Sequence, residues 1–136
     1  MAIFKEIINS SSTHALVRFH CDSGNANTNV SMADLGGTNG TSVIAIEHIQ
    51  YSFGPGQPEA GATPVLKPDE VLIQFSDNSS THQTIYELYG SGEIGGVGRR
   101  ASADLDAAGG KVSLRITFTQ YALGSCLILL RKVSGF

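Results

Sequence analysis

The segment Val112-Ser-Leu-Arg-Ile-Thr-Phe-Thr119 alternates strictly between apolar and polar residues. A β-strand sends successive side chains to opposite faces, so Val112, Leu114, Ile116 and Phe118 share one face, and Ser113, Arg115, Thr117 and Thr119 share the other. This pattern belongs to a sheet with one dry face and one wet face. After the turn-like Ala122-Leu-Gly-Ser125 comes Cys126-Leu-Ile-Leu-Leu130, apolar on both faces, then Arg131 and Lys132. The pair reads as a hairpin leading into a strand covered on both sides.

The rest of the chain repeats this grammar. Ala15, Val17, Phe19 and Cys21 alternate with Leu16, Arg18 and His20. Over Val43 to Phe53, Val43, Ala45, Ile49, Tyr51 and Phe53 share one parity, and Glu47 interrupts it. A β-bulge near Glu47, or a strand passing from one sheet to the other, reconciles that pattern. Val71, Ile73 and Phe75 restart the alternation, and Ile85 to Tyr89 gives a further strand before the glycine-rich Gly90–Gly98. All four prolines fall within Gly54–Pro68. Proline fixes φ and lacks a backbone donor, so residues 54–69 read as a long Pro/Gly-rich loop. Residues 2–8 are short and apolar, suited to an edge strand or to an arm reaching toward a neighbour. The expectation is one all-β domain over residues 1–136, an antiparallel β-sandwich of jelly-roll type with about seven or eight strands.

Composition excludes several classes. The net charge of −3, with scattered Lys and Arg, does not suit a chain built to neutralise nucleic-acid phosphates. No stretch has transmembrane length, and the N-terminus lacks the pattern of a secretory signal. Two cysteines, Cys21 and Cys126, make no disulfide framework; both sit in apolar strand patterns and read as buried thiols. Charged residues are 15 %, low enough to suggest that part of the surface is covered by copies of the same chain.

No catalytic constellation emerges. Gly90-Ser-Gly-Glu-Ile-Gly95 matches G-x-G-x-x-G, but that fingerprint must open a helix, and Gly96-Val-Gly98 is a poor helix start. His14, His20, His48 and His82 are far apart and lack ligand spacing, so no metal or cofactor is expected. The Asp69/Glu70 and Asp104/Asp106 pairs have no converging geometry, and no G-x-S-x-G elbow occurs. Tyr51, Tyr86, Tyr89 and Tyr121 offer material for a sugar platform, although Tyr51 is in phase with the core. An enzyme is not expected.

The order of segments resembles a family of small β-sandwich virion proteins of tailed bacteriophages. The resembling parts are His14-Ala-Leu-Val-Arg-Phe-His20, Asn29-Val-Ser-Met-Ala-Asp-Leu35, Thr41–Tyr51, Val71-Leu-Ile-Gln-Phe75, Leu88-Tyr-Gly-Ser-Gly-Glu93 and Leu127-Ile-Leu-Leu-Arg-Lys132. The proline loop and Asp77–Thr84 depart from that layout. The resemblance implies a structural virion protein, most simply a capsid decoration or cement protein assembled in the host cytoplasm. Its partners would be the major capsid protein or other virion proteins, with a homo-oligomer, trimeric by preference, and neither nucleic acid nor membrane. The rivals are a tail-, vertex- or fibre-associated protein and a carbohydrate-binding β-sandwich. Contact residues are expected in the N-terminal segment (Ile3, Phe4, Ile7) and in the proline loop (Pro55, Pro58, Pro64, Val65, Leu66).

Overall fold

The computed structural model describes residues 3–22, 26–38, 42–55, 70–76, 82–101, 113–119 and 122–136, with the backbone alone at 55 and 96–101. These form nine strands: β1 (Ile3–Ser10), β2 (His14–Cys21), β3 (Ala26–Ser31), β4 (Val43–Pro55), β5 (Val71–Ser76), β6 (His82–Leu88), β7 (Ser91–Ala101), β8 (Ser113–Phe118) and β9 (Ala122–Ser134). A single 3-10 turn, Ala33–Leu35, follows β3 and stops at Gly36, whose φ of 88° is one that glycine adopts without strain.

The strands make two antiparallel sheets, β1-β2-β9-β4-β7 and β3-β8-β5-β6. From β2 onward, every connection but β5–β6 passes from one sheet to the other. The order β2-β9-β4-β7 set against β3-β8-β5-β6 is that of an eight-stranded jelly roll, and β1 extends one sheet by pairing with β2. The sandwich expected from the sequence is therefore present, with one strand more than expected.

The alternation places the core. Leu114, Ile116 and Phe118 of β8, Val71, Ile73 and Phe75 of β5, and Val17 and Phe19 of β2 are all fully buried between the sheets. Each such side chain contributes about 1.5–3 kcal/mol by leaving water. An aromatic chain spans the layers: Tyr51 stacks on Phe53 with centroids 5.5 Å apart, and Phe53 meets Phe118 edge-on at 5.5 Å. Both cysteines are buried free thiols in no disulfide. Burial pushes the Cys126 thiol up to about 12. Ellman's reagent at about pH 8 is therefore expected to leave Cys126 of the folded chain unlabelled and to titrate it after unfolding in denaturant. Rapid labelling of native Cys126 would contradict this packing.

Three local readings differ from the structure. The hairpin expected between Val112–Thr119 and the C-terminal strand does not form, because β8 and β9 lie in different sheets. Between them, the Ala122 N–H donates to the Thr119 carbonyl at 3.1 Å. Alternation reports which face is dry, not which strand is the neighbour. The glycine-rich Gly90–Gly98 run, read as a break after the Ile85–Tyr89 strand, enters β7 from Ser91 onward. Finally, β9 is central in its sheet, yet Leu127 and Leu129 are only half-buried on the outer face. The irregularity at Glu47 is a bulge: the ladders to β7 and to β9 both shift between Ile46 and His48.

Candidate assembly edge and outer sheet face

Strand β1 ends the five-stranded sheet, paired on one side with β2. Ile3 lies opposite Cys21, Lys5 opposite Phe19 and Ile7 opposite Val17, so these three share the inward face of the pair. Only Ile3 packs against the core. Lys5 turns under the strand to the other sheet, where its Nζ donates to the Asn29 carbonyl of β3 at 2.6 Å and lies 3.4 Å from Asp34 Oδ2. Asp34 in turn accepts the Ser31 N–H at 3.0 Å, and Ser31 Oγ accepts the Asp34 N–H at 3.1 Å. These bonds pin β1 to β3 and occupy polar groups along β3. They also draw away the lysine that would otherwise guard the β1 edge.

The Ser31 N–H, aided by the Lys5 charge and opposed by partial burial, holds the Asp34 carboxyl below its usual value of 3.8. A depressed acid contributes stability above its unfolded-state pKa and loses it as the pH falls through the lower folded-state pKa. Asp34→Asn is thus expected to cost ~0.2–1 kcal/mol at neutral pH, the range for exposed ion pairs. The gap from wild type should close in urea titrations well below pH 3.8; a gap that widens there would contradict the assignment.

Beside Glu6, three apolar side chains remain exposed on β1. Phe4 is 56 % exposed, Ile7 36 % and Ile8 46 %. Ile8 is the extra residue of a bulge, since the register to β2 shifts between Ile7 and Asn9. Phe4 lies opposite His20, and their rings stack with centroids 6.3 Å apart. Behind this edge, the outer face of the sheet runs in rows. One row is Phe4, His20, Ser125, Ser52 and Ser91; the next is Glu6, Arg18, Leu127, Gln50 and Glu93; a third holds Leu16, Leu129, His48 and Gly95. Leu16, Leu127 and Leu129 therefore continue the apolar surface inward from β1. At the far end the bulge sets Glu47 between His14, whose Nε2 is 3.2 Å away, and Arg131, whose Nε is 3.5 Å away without hydrogen-bond alignment.

The outer face of the four-stranded sheet is different. Gln74 Nε2 donates to Thr84 at 3.2 Å, Thr117 donates to Gln74 Oε1 at 3.0 Å, and Arg115 Nε donates to Thr117 at 3.3 Å. Its polar groups are engaged with one another.

Of the contact residues expected from sequence, Phe4 and Ile7 are exposed on β1, and Ile3 is half-buried against the core. Pro55 is the last residue of β4, its backbone opposite Ala122. Pro58, Pro64, Val65 and Leu66 lie outside the described residues. Sequence reasoning takes in Ile8 only as part of the segment 2–8, and misses Leu127 and Leu129. A bulge at position 8 leaves no mark on a short apolar run, and two apolar faces on β9 read as full coverage.

The histidines are separate: His14 meets Glu47, His20 stacks on Phe4, His48 stands 3.9 Å from Glu93, and His82 Nδ1 lies 2.8 Å from Ser76 Oγ. Among the described residues, no three His, Cys, Asp or Glu side chains form a group able to hold a metal ion. Nor do the described tyrosines share an exposed face. Tyr51 and Tyr86 pack against the core, whereas exposed Tyr89 donates to Glu70 at 2.6 Å. No described helix is long and apolar enough to cross a membrane.

No family model matches the chain, and no curated protein does. A solved structure described as "Bacillus endospore appendages form a novel family of disulfide-linked pili" is similar at a TM-score of 0.44 and 11 % identity. The match covers 97 % of this chain and 89 % of that one.

Proposed function

We propose that this chain is a structural subunit of a tailed-phage virion, a capsid decoration protein that docks on the shell through β1 and the adjoining outer face of its sheet. The observation that carries this reading is the β1 edge. Phe4, Ile7 and Ile8 are three of the five large apolar side chains exposed among the described residues, and they lie within one end strand. Solvent-facing end strands ordinarily carry charge, proline or brevity to discourage pairing. Here Lys5 is tied to β3 and the apolar side chains are left outside. Such an edge can add main-chain hydrogen bonds to a partner strand while its side chains fill apolar pockets. With Leu16, Leu127 and Leu129 behind it, the surface has the apolar centre and polar rim of a protein interface. Repetition over many identical shell positions turns a modest contact into a large summed stabilisation.

The test is a double variant, Phe4→Ser with Ile8→Ser, offered to purified shells that lack the protein. Both side chains are exposed, so each change should alter stability by no more than about 0.5 kcal/mol. Co-sedimentation with shells is expected to fall at least about tenfold in affinity while cooperative unfolding is retained. Binding equal to wild type would remove β1 as the docking edge.

A further inference from the structure

We propose that the outer face of the five-stranded sheet also carries a binding site for one neutral sugar ring, set among Arg18, Gln50, Ser52, Ser125 and Leu127. Together with Tyr51 and Cys126, these residues line an open hollow of about 230 Å³. Its origin lies in the rows of the sheet. Ser125, Ser52 and Ser91 stand side by side on β9, β4 and β7, next to the taller Phe4–His20 stack and the Arg18–Leu127–Gln50 row. Of these, the short Ser125 and Ser52 side chains sink the floor beside the Arg18–Leu127–Gln50 row. The volume falls below the ~300–1,000 Å³ of sites for drug-sized ligands, so it suits a single ring.

The lining sets the ligand class. Arg18 presents a planar fork of N–H donors, Gln50 donates and accepts from one planar head, and serine hydroxyls do both. Neighbouring ring hydroxyls, each a donor and an acceptor, match such planar groups in pairs. Leu127 adds an apolar patch for the C–H face of a ring. Among the described residues, neither Arg18 nor Gln50 has a hydrogen bond or ion pair to another side chain. The opposite sheet supplies the contrast, since Gln74 and Arg115 are already bound within the Thr84–Gln74–Thr117–Arg115 row. Charge decides between a neutral and an acidic ring. Glu6 stands opposite Arg18, and Glu93 opposite Gln50, so carboxylates flank the hollow on both sides. They would repel an acid and accept from hydroxyls.

The site shares Leu127 with the shell-docking surface but uses neither Ile7 nor Ile8, so sugar binding and docking through β1 are read separately. It is tested by amide proton–nitrogen correlation spectra of the full chain, titrated with the methyl pyranosides of glucose, mannose and galactose, and with sodium glucuronate as the acidic counterpart. The expected result is saturable shifts at Gln50, Ser52, Ser125 and Leu127 with at least one neutral pyranoside, in the millimolar range. Arg18→Ala and Gln50→Ala should each weaken that binding about tenfold. Gln74→Ala, on the opposite sheet, should leave it unchanged. The proposal is overturned if no neutral pyranoside gives saturable shifts, if glucuronate alone binds, or if Arg18→Ala binds like wild type. Each of these results would leave docking through β1 standing.

Discussion

Gly124→Ala is expected to lower the stability of the fold by about 3–5 kcal/mol, from backbone strain and overpacking together. Gly124 has a φ of +130°, a region that side-chain-bearing residues rarely adopt. It sits in the middle of the five-stranded sheet, opposite Cys21 on β2 and Phe53 on β4. An added Cβ would collide with the carbonyl oxygen of Ser52 and stand 2.9 Å from Phe53 Cα. Those neighbours are backbone atoms of a hydrogen-bonded strand, so relief requires moving β4 itself. Gly90 separates the two costs. Its φ is +64°, but nothing lies within 4 Å of an added Cβ. Gly90→Ala should therefore lose only the conformational part, about 1–2 kcal/mol. Urea denaturation of both variants, compared at unchanged m-value, measures the difference. A Gly124→Ala loss no larger than that of Gly90→Ala would contradict the close approach of β9 to β4.

Phe118→Ala should cost about 3–5 kcal/mol, the usual loss for removing a buried aromatic ring. Phe118 is fully buried on β8, opposite Ala26 on β3 and Val71 on β5. Its ring meets Phe53 of the other sheet at an interplanar angle of 86°, and Phe53 stacks on Tyr51. The edge-to-face contact is worth about 0.5–1.5 kcal/mol beyond the area buried. Phe118→Leu keeps most of the volume and loses the ring contact, so it should fall clearly between wild type and alanine. Equal losses for Leu and Ala would mean that ring geometry rather than filled volume holds the sheets together at this point. A loss below about 1 kcal/mol for Phe118→Ala would deny the burial itself.

These two variants mark what the sequence shows and what it hides. The dry faces of β2, β5 and β8 were legible because strand periodicity is local: Phe19, Phe75, Ile116 and Phe118 are inside as their parity requires. The bulge was legible too, since Glu47 broke a parity that resumed at Ile49. Pairing was not. Nothing local to Thr119–Ala122 tells a hairpin from a corner that changes sheets, because the hydrogen-bond partners of β8, β3 and β5, lie far away in the chain. Gly124 was hidden for a similar reason, as the obstructing carbonyl belongs to Ser52. Of the assembly edge, Phe4 and Ile7 could be named from an apolar N-terminal run. The diversion of Lys5 to Asn29, which leaves Glu6 as the charged residue beside that run, depends on how the two sheets meet. The hollow beside Arg18 follows from Ser52 and Ser125 brought into register from two strands, and no window of sequence contains them together.

The central claim, that the chain is a shell component docking many times over, is tested most directly by counting. Virions purified from the host that encodes the chain would be analysed by quantitative mass spectrometry against the major capsid protein. The account predicts copies in a simple ratio to that capsid protein, as repeated docking on equivalent shell positions requires. Absence from the particles, or a handful of copies at one vertex or along the tail, would contradict it.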